Sequence, residues 1–109
     1  MRLYVAGKWQ DRKRIRMIMD QLEAVGHTIT ADWPSREGPN ITNAFKTECA
    51  VYDLKGVSEC EVLLAMADGD FEYSSGGIQG EVTAALILGK PVYLAGKGID
   101  QCIFRHHYR

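Results

Sequence analysis

The chain has 109 residues, 46% apolar and 25% charged, with 13 Lys and Arg set against 14 Asp and Glu for a net charge of −1. These are the proportions of one ordinary globular domain, read here as residues 1–109, which can bury a core without disulfides or metal. The near balance of charge gives no basic footprint for a nucleic-acid polymer, although it permits a small anionic ligand.

Leu3 to Ala6 is an apolar run that stops at Gly7 and predicts a buried first strand. From Asp11 to Val25 the residues Ile15, Ile18, Met19, Leu22 and Val25 form a helical stripe, with Asp11 as its N-cap and Gly26 as its stop. Thr28 to Trp33 alternates, with Ile29, Ala31 and Trp33 on one side, which predicts a second strand ended by Pro34. Pro34 to Asn40 is rich in turn residues, and Ile41 to Lys55 is helix-compatible, closing at Gly56. Glu61 to Ala67 has the nearly unbroken apolar character of a central parallel strand. A polar, glycine-bearing loop from Asp68 to Gly80 precedes a helix over Glu81 to Leu88, which ends at Gly89. Pro91 to Ala95 is a further strand, and Cys102 to Phe104 is a candidate short last one. This alternation predicts an α/β fold: a single-domain, doubly wound, mostly parallel sheet. Ligands of such sheets bind outside the carboxyl ends of the strands, here the loops that start at Ala6, Trp33, Ala67 and Ala95.

The longest apolar stretch, Val82 to Leu88, is interrupted by Thr83 and is too short to span a membrane, and the N-terminus enters a strand instead of a signal peptide. A cytoplasmic protein without a membrane partner is expected. Cys49, Cys60 and Cys102 contain no C-x-x-C pair and read as reduced, small hydrophobes. His106 and His107 are adjacent and point apart on a strand, so no metal site is expected there.

The first loop carries one glycine, Gly7, where a dinucleotide fingerprint needs three, and no P-loop pattern occurs. A helix start flanked by Lys8 and Arg12 can still receive an anion. Trp9 and Trp33 can stack on a base, and Trp33 fits the core equally well. The third loop is more specific: Ser74-Ser75-Gly76-Gly77-Ile78-Gln79-Gly80-Glu81 sets hydroxyls and glycines ahead of a carboxylate at a predicted helix start. Asp53 supplies a second acid. Together Asp53 and Glu81 form the pair that glycosidic chemistry uses, one carboxylate for the anomeric carbon and one group for the proton of the leaving base.

Leu3-Tyr4-Val5-Ala6-Gly7-Lys8-Trp9-Gln10-Asp11-Arg12, then Asp53-Leu54-Lys55-Gly56-Val57, then Ser75-Gly76-Gly77-x-x-x-Glu81 with Gly89-Lys90-Pro91-Val92, resemble the nucleoside 2-deoxyribosyltransferase family. The resemblance implies a flavodoxin-like fold and cleavage of an N-glycosidic bond, without a cofactor, through Glu81 as nucleophile. It implies that Asp53 serves the departing base, that Tyr4 holds the nucleophile, and that Gly7 and Trp9 belong to the loop closing over the nucleoside. It also implies a homodimer or higher homo-oligomer, in which C-terminal residues such as His106, His107 and Tyr108 complete a neighbouring site. Two departures stand out. Many of the transferases carry an aspartate where this chain has Ser75; a serine there resembles the related deoxynucleoside 5′-monophosphate N-glycosidases, whose hydroxyls and glycine amides, here Ser75, Gly76 and Gly77, hold a phosphate. Val82-Thr83-Ala84 also lacks the glycine that usually follows the nucleophile two positions on. A small-molecule nucleoside or nucleotide is thus the expected partner. A catalytically silent nucleotide-binding or sensing domain is the alternative from another class.

Overall fold

A computed structural model describes residues 1–36, 42–66 and 76–95. Their strands are β1 (Arg2–Ala6), β2 (Thr28–Ile29), β3 (Val62–Met66) and β4 (Val92–Ala95), and their helices are α1 (Arg12–Ala24), α2 (Asn43–Glu59) and α3 (Gly76–Ile87). The strands form one parallel sheet in the order β2-β1-β3-β4. Tyr4 lies opposite Leu63, and Leu63 in turn opposite Val92. Leu3, Tyr4, Val5 and Ala6 are all buried in succession, because a parallel strand covered on both faces has no solvent side. The order and the all-parallel pairing are those of a flavodoxin-like α/β sheet. The chain leaves β1 toward β2 on one side and returns to β3 on the other, so the topological switch point lies between β1 and β3.

The helices cover the sheet through apolar faces. α1 buries Ile15 and Met19 and packs beside β2, whereas α2 and α3 pack on each other and against β1. Gly26 (φ 101°) and Gly89 (φ 71°) occupy the left-handed region and end α1 and α3, as their positions in the sequence predict. Among the described residues no helix is long and apolar enough to cross a membrane.

Three elements besides α3 depart from the sequence reading. The strand expected over Thr28 to Trp33 is only two residues long. Ala31 and Trp33 are buried, as their alternation requires, yet Trp33–Ser35 is a 3-10 turn and the Trp33 indole Nε1–H donates to the Val5 carbonyl at 2.7 Å. An aromatic side chain has taken the place of a ladder donor, so the period-2 pattern reported burial and not strand. Asp11 does not cap α1 with its side chain; its carboxylate accepts from Arg14 Nε at 2.9 Å instead. α2 runs on past Gly56 to Glu59.

Gly56 is therefore no helix stop. It is buried where α2 crosses β1, and a Cβ there would stand 2.6 Å from the Ala31 Cβ and 3.0 Å from the Tyr4 ring. Gly56→Ala is expected to lower stability by roughly 1–3 kcal/mol through overpacking. Urea unfolding should show a lower midpoint at unchanged slope, and an unaltered midpoint would mean that the crossing is looser than this. The predicted strand at Cys102 to Phe104 lies outside the described residues.

Candidate active site

Tyr4 alternates with Leu3 and Val5 along β1, which turns its ring toward α2 and α3. Its hydroxyl donates a hydrogen bond to Glu81 Oε2. Glu81 is not at a helix start, as the sequence predicts, but on the sixth residue of α3; Gly76 and Gly77, expected in a loop, form the first turn. Glycine is a weak helix former, and tertiary packing overrides that propensity here: Ile78, Val82 and Ala85 are buried along one face, and Glu81 borders it. At the sixth position, beyond the first turn, Glu81 gains little from the dipole of the helix.

Burial dominates the electrostatics. It pushes the Glu81 carboxyl up to about 8, with the Tyr4 hydrogen bond opposing and the charge of Asp53 adding to the rise. Asp53 lies on α2, one turn before Gly56, half-buried, and burial pushes it up to about 6 against the opposing charge of Arg36. Its Oδ1 is buried and has no hydrogen-bond partner among the described residues. Burial first, and then the Glu81 and Asp53 carboxylates, push the Tyr4 phenol far above its usual value, so it stays a proton-bearing donor at any working pH. The structure thus brings Tyr4, Asp53 and Glu81 together from three elements, beside the crevice between β1 and β3. The two acids differ in proton affinity, Glu81 holding its proton to higher pH than Asp53, so a state with Glu81 ionised and Asp53 protonated is a minor one in the free protein.

The other candidates follow the carboxyl end of β1. Gly7 lets α1 close on the strand, since a Cβ there would lie 2.5 Å from Ile15 Cδ1. Lys8 is half-buried, and Trp9 is 44% exposed on a 3-10 turn, Trp9–Asp11. The Arg12 guanidinium lies 4.5 Å over the Trp9 ring and donates to the Trp9 carbonyl at 3.2 Å. Trp33 belongs to the core. Ser75, His106, His107 and Tyr108 lie outside the described residues. Among the described residues no group of His, Cys, Asp and Glu could hold a metal ion.

Two contributors had no local signal in the sequence. The Arg36 guanidinium lies 4.6 Å over the Tyr52 ring, and the Tyr52 hydroxyl accepts the Asp32 backbone N–H at 3.0 Å. Only the fold brings the loop after β2 onto the residue that precedes Asp53.

No protein-family model matches the sequence, and neither does any curated protein. Solved structures do. A 2-deoxyribosyltransferase from Bacillus psychrosaccharolyticus superposes with a TM-score of 0.73 at 21% identity, over 92% of this chain and 77% of that one. The CMP N-glycosidase BcmB of Clostridium botulinum superposes with a TM-score of 0.60 at 24% identity, over 86% of this chain and 70% of that one. At these identities the likeness establishes architecture: this chain has the fold shared by a 2-deoxyribosyltransferase, the family that its sequence resembles, and a CMP N-glycosidase.

Proposed function

We propose that this protein cleaves the N-glycosidic bond of 2′-deoxynucleosides, or of their 5′-monophosphates, with Glu81 as nucleophile and transfer of deoxyribose to a second base. The observation that carries this reading is the Tyr4–Glu81 hydrogen bond beside an Asp53 carboxyl whose buried oxygen has no partner among the described residues. The named activities of the two structural neighbours support it. In the forward step the ionised Glu81 attacks C1′, the C1′–N bond breaks, and the Asp53 proton goes to the departing base. The Tyr4 O–H, held on the other carboxylate oxygen, fixes the attacking geometry and disperses the charge that is returned when the ester later breaks. A second base attacking C1′ completes transfer; water in its place completes hydrolysis. The residues need no cofactor for either.

Ser75, ahead of Gly76 and Gly77, favours a 5′-monophosphate as the second reading, with Lys8 and Arg12 as further cations. Self-association belongs to the same proposal. Val51 and Leu54 on α2, Ile87 on α3 and Tyr93 on β4 are exposed apolar side chains that a second copy could cover.

Incubation with a deoxynucleoside and a different free base, followed by chromatography, tests the reading. Appearance of the exchanged nucleoside marks a transferase, and quenched samples should carry a deoxyribosyl adduct on Glu81. Release of free sugar or sugar phosphate alone marks a hydrolase. Saturable binding of nucleoside or nucleotide without turnover marks a sensing domain and refutes the catalytic reading.

A further inference from the structure

The residues that follow β2, Thr30 to Trp33, tie β1 to α2. The Thr30 N–H donates to the Leu3 carbonyl at 2.9 Å, and the Trp33 indole N–H donates to the Val5 carbonyl at 2.7 Å. These two bonds fall on either side of Tyr4. On α2 the Thr30 hydroxyl donates to the Gly56 carbonyl at 2.8 Å, and the Asp32 N–H donates to the Tyr52 hydroxyl at 3.0 Å. Those two fall on either side of Asp53, about one helical turn apart. Between them Ala31 packs closely on the bare Gly56. A helix held at one point can pivot, whereas two points off its axis and a turn apart stop both rotation and sliding. Asp53 depends on this restraint: its buried Oδ1 has no hydrogen-bond partner among the described residues, so the turn that carries the carboxyl has to aim it.

Building on the glycosidic reading above, we propose that the strap Thr30–Trp33, with Tyr52 as its counterpart on α2, positions Asp53 against the Tyr4–Glu81 pair. Thr30 and Tyr52 are positioning residues, which act on the turn of α2 that bears the acid and not on the substrate. The strap grips β1 around Tyr4 and α2 around Asp53 at once, so it sets the separation of two groups that share no direct bond of their own. Each grip can be released singly. Tyr52→Phe keeps the ring, and with it the Arg36 contact, but loses the hydroxyl that takes the Asp32 N–H. Thr30→Val keeps the shape of the side chain and loses the bond to Gly56, whereas Thr30→Ser keeps that bond.

NMR titration of the side-chain carboxyls in the wild type, Tyr52→Phe, Thr30→Val and Thr30→Ser tests the strap without a substrate. Glu81, Tyr4 and Arg36, the groups coupled to Asp53 by charge, are the same in all four. A loosened turn lets water reach the carboxyl, so Asp53 is expected to move from near 6 toward its usual 3.8 in Tyr52→Phe and Thr30→Val, and to stay near 6 in Thr30→Ser. Val92→Ala, which trims the core at β4 and away from the strap, should leave Asp53 where it is. An Asp53 that titrates alike in the wild type, Tyr52→Phe and Thr30→Val overturns the inference, and so does an equal movement in Val92→Ala. Turnover gives a second readout. On deoxynucleosides with poor leaving groups Tyr52→Phe should lower kcat about tenfold or more with KM little changed, and should cost nothing further in an Asp53→Asn background. The same loss in both backgrounds overturns the positioning role. If Asp53 moves as expected and no deoxynucleoside is cleaved, the strap holds and the glycosidic reading fails.

Discussion

Glu81→Gln is expected to reduce turnover on the order of a thousandfold or more, and at the same time to raise the stability of the protein at alkaline pH. The first effect follows from loss of the attacking oxygen. The second follows from the sign of the pKa change. Unfolded, the Glu81 carboxyl titrates near 4.5; folded, burial holds it near 8. Between those values the unfolded chain releases a proton that the folded chain keeps, so stability falls as pH rises from about 4.5 to about 8. Glutamine accepts the same Tyr4 hydrogen bond and has nothing to ionise. At about 1.4 kcal/mol per pKa unit, the variant should exceed the wild type by a few kcal/mol above pH 8, and the gap should close toward pH 4. Thermal melts of the two proteins across that range measure it. Parallel curves would show that Glu81 is not desolvated as described, and retained single-turnover rates would remove it as the nucleophile.

Asp53→Asn carries the second large effect, and it is read in the pH profile. The proposed attack needs Glu81 ionised and Asp53 protonated, while the free protein holds Glu81 near 8 and Asp53 near 6. The product of the two fractions is a bell with limbs near 6 and 8 and a maximum between them, where about one molecule in a hundred is in the productive state. Removing the acid should cost on the order of 100- to 10,000-fold on poor leaving groups and much less on good ones. It should also abolish the descending limb. The rate of Asp53→Asn then rises with pH and levels off below pH 8, since the Asp53 charge no longer raises Glu81. Profiles of kcat/KM for a series of bases decide the matter: an intact bell with equal losses on every base would make Asp53 a structural residue.

The elements legible in the sequence were those whose pattern had one cause. The apolar runs of β1 and β3, and the stripe from Ile15 to Leu22 on α1, report burial within a single regular element. Where two causes produce one pattern, the reading failed. Trp33 alternates with Ile29 and Ala31 because all three pack inward, but its indole serves the Val5 carbonyl and the strand ends early. Gly56 and Gly76-Gly77 looked like punctuation because glycine usually is, yet the first is a point of close approach and the others start a helix that packing stabilises. For the candidate site, Tyr4, Asp53 and Glu81 were singled out from the sequence, and the structure adds their meeting and their proton affinities. Arg36 on Tyr52 was illegible, because its partner is chosen by a helix crossing that no local window contains.

The Tyr4–Glu81 hydrogen bond closes a loop of 77 residues, between the first strand of the chain and the last described helix. Nothing local prepares it. During synthesis β1, α1, α2 and β3 all emerge before α3 does, and until α3 docks the Tyr4 hydroxyl has no carboxylate to hold. Closing so long a loop costs entropy that only the finished β1–β3 pairing offsets. The nascent or partly folded chain therefore lacks the assembled Tyr4–Glu81 pair, and with it the nucleophile of the proposed reaction, until α3 docks.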